Sequence, residues 1–175
     1  QDMVNVLIEH GADPRAVDTS GGNLLRACAY WNHAALAASL RKKHGLVDDV
    51  FTTVAFGSAA ELGAWLDAHP QDLTAKDLFG MPPLHWAVRR GAADRVQLLL
   101  ARGADPLAAD SARWTALDLA GGFGDVEACR LLAEAGQKAG AKPEYLVSAL
   151  KLAAFAPDPT VFEALRVAAA EHKSE

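Results

Sequence analysis

Apolar residues recur along this chain at helical spacing, in short stretches broken at regular intervals by glycine, aspartate and proline. The segment VNVLIEHGADPRAVD (Val4 to Asp18) nearly repeats as VQLLLARGADPLAAD (Val96 to Asp110), displaced by 110 − 18 = 92 residues. A finer period is set by Phe51, Leu84, Leu117 and Leu150, each 33 residues after the last, and by Leu66, Leu99, Leu132 and Leu165 fifteen residues later in each unit. Two registers sharing one period predict stacked units of two short helices and a turn. Leu25 and Leu40 keep the fifteen-residue relation, but Leu25 to Phe51 is only 26 residues, 33 − 26 = 7 short. The shortened stretch is HGLVDDV (His44 to Val50), so the turn between the first two full units is expected to be absent or reduced to a tight loop.

Composition narrows the class. With 175 residues, 51% of them hydrophobic, the chain can bury a substantial core. Ala and Leu outnumber Val, Ile and Thr, which favours an all-helical protein. The net charge of −5 offers nothing to a phosphate backbone, and the basic residues occur in small groups such as Arg41-Lys42-Lys43, so nucleic acid is not an expected partner. No apolar run approaches the roughly 18 residues of a membrane span, so direct membrane insertion is not expected. Cys28 and Cys129 fall on inward helix positions and lack metal-site spacing. They read as packing residues of a protein in a reducing, intracellular compartment rather than a secreted one.

The best unit, DLFGMPPLHWAVRRGAADRVQLLLARGADPLAA (Asp77 to Ala109), resembles an ankyrin repeat. It has Asp, two free residues and Gly, then a TPLH-like tetrapeptide, Pro82-Pro83-Leu84-His85. An Ala-rich helix, a Gly, a Leu-rich helix and a GAD-type ending follow. The next unit, Asp110 to Gly136, keeps Thr115 and Leu117 but has Ala116 for Pro and Asp118 for His, departures expected to weaken its capping pattern. The resemblance implies an all-α, ankyrin-type helical solenoid of about five repeats. A half repeat at 1–17 precedes repeats near 18–43, 44–76, 77–109 and 110–142, and a C-terminal capping repeat covers 143–172. It also implies that the His85 ring hydrogen-bonds to turn backbone and ties neighbouring units together. Gly11 and Gly103 are expected to end helices in the left-handed region. Val4, Leu7 and Ile8 would leave an unpaired helix face, covered by further repeats before Gln1 or by a partner.

The sequence holds no Gly-rich phosphate loop, no nucleophile elbow and no helix with paired metal ligands, so neither catalysis nor a cofactor or small-molecule substrate is expected. Pairs such as Asp48-Asp49, or Asp67 with Asp72, read as helix-end residues. His10, His33, His44, His69 and His172 are scattered over different units, which argues against a metal site. Surface aromatics carry the functional signal instead. The ends of the first helices give Tyr30 and Trp31, then Phe56, then Arg89 and Arg90, then Phe123, then Phe155, and the turn tips add Leu78, Phe79, Met81 and Trp114. Aromatic and Arg residues on ground that stacking leaves open are the composition of protein-binding hot spots. Phe56 and Phe155 have the alternative of folding back to fill gaps. The expected role is an adaptor or scaffold that binds another protein through the concave groove, with Arg89 and Arg90 facing a carboxylate. The alternative is a non-catalytic structural subunit of a larger complex.

Overall fold

A computed structural model describes residues 3–142, 144–155 and 159–171, with the side chains of 3–5 and 168–171 excepted. Eleven α-helices lie among them. They are α1 (Met3–Glu9), α2 (Leu24–Tyr30), α3 (Ala34–His44), α4 (Val50–Phe56), α5 (Ala59–Ala68), α6 (Pro83–Arg89), α7 (Ala93–Ala101), α8 (Ala116–Phe123), α9 (Val126–Lys138), α10 (Glu144–Ala153) and α11 (Thr160–Glu171). Consecutive helices from α2 onward pack as hairpins. First helices stack on first helices from α2 to α10, and second helices on second from α5 to α11. The result is a helical solenoid, and within the described residues the extended structure is limited to one isolated bridge, Ala109 to Thr115.

Local chemistry starts these helices where the sequence places polar residues. Asn23 and Asp125 cap α2 and α9 through side-chain oxygens, and Asp49–Thr52 and Ser58–Glu61 form reciprocal boxes at α4 and α5. Asp118, expected to weaken its unit's capping, instead closes a third box with Thr115 at α8, because its carboxylate reaches back to the Thr115 amide. Gly11 and Gly103 do adopt positive φ, 96° and 87°.

Three turns project from the stack as fingers with one shared design: 18–22, 77–81 and 110–114. In each, the leading aspartate accepts from the amides two and four residues on: Asp18 from Ser20 and Gly22, Asp77 from Phe79 and Met81, Asp110 from Ala112 and Trp114. The fourth position takes positive φ in all three, at Gly21, Gly80 and Arg113. The connections that carry fingers, 10–23, 69–82 and 102–115, are each fourteen residues long, whereas α3 and α4 are joined by the five residues 45–49. No finger fits in that stretch, as the missing seven residues required.

The core follows the 33-residue ladder with one correction. Leu25, Phe51, Leu84 and Leu117 are each the second residue of their helix and buried, but α10 starts six residues before Leu150. Leu146 and Ala149 take the buried places there, and Leu150 is only half-buried. The α8–α10 contact is close enough that a Cβ on Gly121 would sit 2.7 Å from the Ala149 carbonyl oxygen, so this site needs glycine. A smaller cluster of Leu25, Cys28, Ala37, Leu40 and Leu46 lies under α1, and Ile8 packs on it while Leu7 stays exposed. The side chain of Val4 lies outside the described residues. Cys28 and Cys129 are both buried, and burial pushes the Cys129 thiol up to about 12, with Asp125 adding to the effect.

His85 is fully buried, and its Nε2 donates to the Trp114 carbonyl 2.9 Å away, tying α6 to the next finger. Burial depresses its pKa, outweighing that hydrogen bond and the opposing pull of Asp110, Asp77 and Asp118. The folded state therefore holds a neutral ring that the unfolded chain protonates below about 6.5. Stability from this group is present above the unfolded pKa and declines as pH falls below it. Thermal melts between pH 7.5 and 5.5 are expected to show a falling Tm that is flattened in His85→Asn. An equal slope in that variant would remove His85 as the cause.

Candidate interaction cleft

Where the finger is missing, the solenoid opens. Finger 18–22 and finger 77–81 stand apart, and between them lies a cleft of about 540 Å³. Its floor is α2 and Trp86 of α6; its walls are Leu7, Ile8 and Val17 on one side and Leu78 and Phe79 on the other. Tyr30 is at the centre, with ring centroids 5.2 Å from Trp31, 5.3 Å from Phe79 and 5.9 Å from Trp86. Edge-on and tilted contacts of this kind fix the rings without covering them. Trp31 is 69% exposed, and Leu78 and Phe79 are also exposed.

The carboxylates beside the cleft are spent on its walls. The hydroxyl of Ser20 holds the Asp18 carboxyl below its ordinary pKa against the opposing effect of burial, helped by the Gly22 and Ser20 amides and by Arg26. Asp77 is buried and accepts the Trp86 indole N–H at 2.9 Å in addition to its two finger amides. Arg26 reaches from α2 to Asp49 and to the Ser20 hydroxyl. These groups build the cleft, and the surface they present inward is apolar.

At the edge of the rings the charge is positive. The Arg89 guanidinium lies 4.2 Å over the Tyr30 ring, and Arg90 donates to the Asn32 side chain. Partial burial, then Arg95 and Arg89, depress the pKa of Arg90, which stays a cation. The carboxylate paired within this trio is Asp94, itself largely exposed, at 3.5 Å from Arg95.

The structure thus brings together Tyr30, Trp31, Leu78, Phe79, Arg89 and Arg90 of the residues singled out in the sequence. Met81 does not belong with them: it is 4% exposed, because its amide closes the finger onto Asp77 and turns the side chain into the core. Phe56 bridges the two core clusters under the Arg41 guanidinium, and Phe155 is 90% exposed and does not fold back. Trp114 and Phe123 are exposed away from the cleft. Leu7 and Ile8, expected as an unpaired helix face, line the cleft as well, and Val17, Arg26 and Trp86 do so without having been anticipated. Asp49 caps α4, Asp67 pairs with Arg102 and Asp72 accepts the Trp65 indole N–H, so these acids serve the scaffold. Among the described residues, no group of three His, Cys, Asp or Glu is placed to hold a metal, and no helix is long and apolar enough to cross a membrane.

Comparisons with known proteins agree with this architecture. Scaffold protein ILK of Homo sapiens and of Mus musculus is 43% identical to the chain over 58 residues, 33% of this chain and 13% of each relative. The integrin-linked protein kinase homolog pat-4 of Caenorhabditis elegans is 39% identical over 59 residues, 34% of this chain and 13% of the relative. The chain thus spans about an eighth of the length of these curated relatives. Ankyrin repeats and similarity to scaffold proteins together support a protein-interaction module. The family profile described as ankyrin repeats (3 copies) matches residues 50–143, more than half of the sequence, and the chain belongs to the ankyrin repeat family.

Proposed function

We propose that the chain is a non-catalytic adaptor or scaffold module that holds a partner protein on its concave side, with the cleft between the first two fingers as the main contact. The observation that carries this reading is the cluster of Trp31, Leu78 and Phe79, exposed yet fixed around Tyr30. A solvated face would present Lys, Glu and Ser; rigid aromatics in a depression are what an interface desolvates with the greatest gain. The similarity to scaffold protein ILK agrees with it. Trp114, Phe123, Phe155 and Phe56 are left out of the contact, since the first three stand apart and the last is used in packing.

The protein purified from its native source under mild conditions, with the mass of the complex and the stoichiometry of co-purifying chains measured, tests the reading. Trp31→Glu with Leu78→Glu is expected to weaken retention of the partner by about 30-fold or more, the effect of losing some 2 kcal/mol at a hot spot. Phe155→Glu, remote from the cleft, serves as control and is expected to change little. Equal retention by all three proteins would refute a contact at the cleft.

A further inference from the structure

We infer that the cleft receives a turn from the partner that takes the place of the missing finger, a deepening that rests on the interaction reading above. The three fingers share the same hydrogen bonds and positive-φ place position by position, so their mutual contacts can be compared. Where two fingers are adjacent in the stack, the second position of the later one donates to the third position of the earlier one: the Ser111 amide bonds to the Phe79 carbonyl at 2.9 Å. By position within the finger, Leu78 corresponds to Ser111 and Ser20 to Phe79.

Across the gap both halves of this contact are left over. Among the described residues, the Leu78 amide has no acceptor, and the Ser20 carbonyl receives only a long 3.4 Å approach from the Arg26 guanidinium. Leu78 lines the cleft and Ser20 belongs to the finger whose Asp18 and Gly22 line its other side; an amide donor and a carbonyl acceptor so placed are matched by a short polypeptide turn, which offers both groups along its own backbone. A flat apolar surface or a helix, whose amides and carbonyls are satisfied internally, leaves both unpaired.

The side chains of that turn follow from what surrounds the gap. A bulky apolar residue fits against Tyr30, Phe79 and Trp86, where the floor is apolar. Beside it a carboxylate meets Arg89 and Arg90, which carry unmatched positive charge next to Tyr30 and Trp31. The occupant is therefore a loop of a partner protein with an aromatic or branched apolar residue next to Asp or Glu.

The probe is a displayed library of seven-residue peptides closed by a disulfide, selected on the intact chain. Peptides pairing an apolar residue with Asp or Glu are expected to be enriched. Replacing residues 45–48 by a copy of residues 104–114 restores the seven missing residues, and peptide binding is then expected to be lost. Leu78→Pro keeps the turn, since proline suits that position, but removes the amide; it is expected to bind about five-fold or more weakly than Leu78→Ala, which keeps the amide and lacks the side chain. Hydrogen exchange at the Leu78 amide is expected to slow on adding the peptide. Peptides that bind the restored-finger protein as well as the original, or that leave Leu78 exchange unchanged, overturn the inference. If such peptides still depend on Trp31, the adaptor reading stands without it; failure to enrich any peptide also overturns the inference, and the co-purification result then judges the adaptor reading separately.

Discussion

Trp86→Ala is expected to lower the free energy of unfolding by about 3–5 kcal/mol, the largest effect of any single replacement considered for this fold. The side chain is 1% exposed and lies between Phe51, 5.4 Å away by ring centroids, and Tyr30. Truncation removes the largest buried side chain and leaves a cavity that neighbouring helices cannot collapse into without breaking the stack. It also takes away the indole N–H that satisfies Asp77, a buried carboxylate at the root of a finger. Trp86→Phe separates the two contributions, since it keeps most of the ring and loses only the donor. It is expected to cost about 1–3 kcal/mol, the usual penalty of a buried polar group left unpaired. Denaturant unfolding followed by helical signal measures both. A loss below about 1 kcal/mol for the alanine variant would mean that this ring is not central to the core. Because Trp86 also floors the cleft, the same replacement should weaken partner retention even where enough folded protein remains.

Trp86 illustrates what the sequence made legible and what it did not. The repeat is visible because every unit must bury the same faces against the same neighbours, so Leu84, Leu99, Leu117 and Leu132 recur at one spacing and are all buried. His85 was placed by resemblance, and its bond to Trp114 has the expected character. Leu150 misled because periodicity locates a residue only modulo a helical turn; α10 begins early, and Leu146 occupies the slot instead. Met81 misled for another reason: it lies at a turn, but the aspartate that shapes the turn draws it inward. In the cleft, Tyr30, Trp31, Leu78 and Phe79 were legible from their positions in the repeat. Leu7 and Ile8 were legible only as an unpaired helix face, and Val17 and Arg26 not at all, since they share the cleft with Leu78 only across more than fifty residues of chain. A signal for them was present in the 26-residue step from Leu25 to Phe51: a lost finger leaves its neighbours facing each other across a gap, so residues on both flanks become lining.

Arg26 holds the open side of that gap, and its replacement is the second large effect. Its side chain is 11% exposed, its Nε and a terminal nitrogen each lie 2.7 Å from the Asp49 carboxylate, and its other terminal nitrogen donates to the Ser20 hydroxyl at 2.8 Å. The guanidinium centre sits 4.5 Å over the Phe51 ring. One side chain thus joins the first finger, α2 and the shortened loop, where a full-length connection would have supplied finger-to-finger contacts. Arg26→Met keeps much of the packing over Phe51 and deletes the charge and every donor. Removing one partner of a buried pair costs about 3–5 kcal/mol when the other charge is stranded. Asp49 is a quarter exposed and keeps its hydrogen bond from the Thr52 amide, so a loss of about 2–3 kcal/mol is expected. Asp49→Asn in the same background should recover part of that loss, because the stranded charge is then gone; strict additivity of the two replacements would show that the pair is not coupled. The consequence for binding has the same sense as that of Trp86 but a different route. With Arg26 gone the Ser20 carbonyl loses the guanidinium that approaches it and the first finger its tether, so that acceptor is more available but less fixed. A peptide turn bound in the cleft should then dissociate faster while its association is little changed, because ordering the finger has been moved from folding to binding.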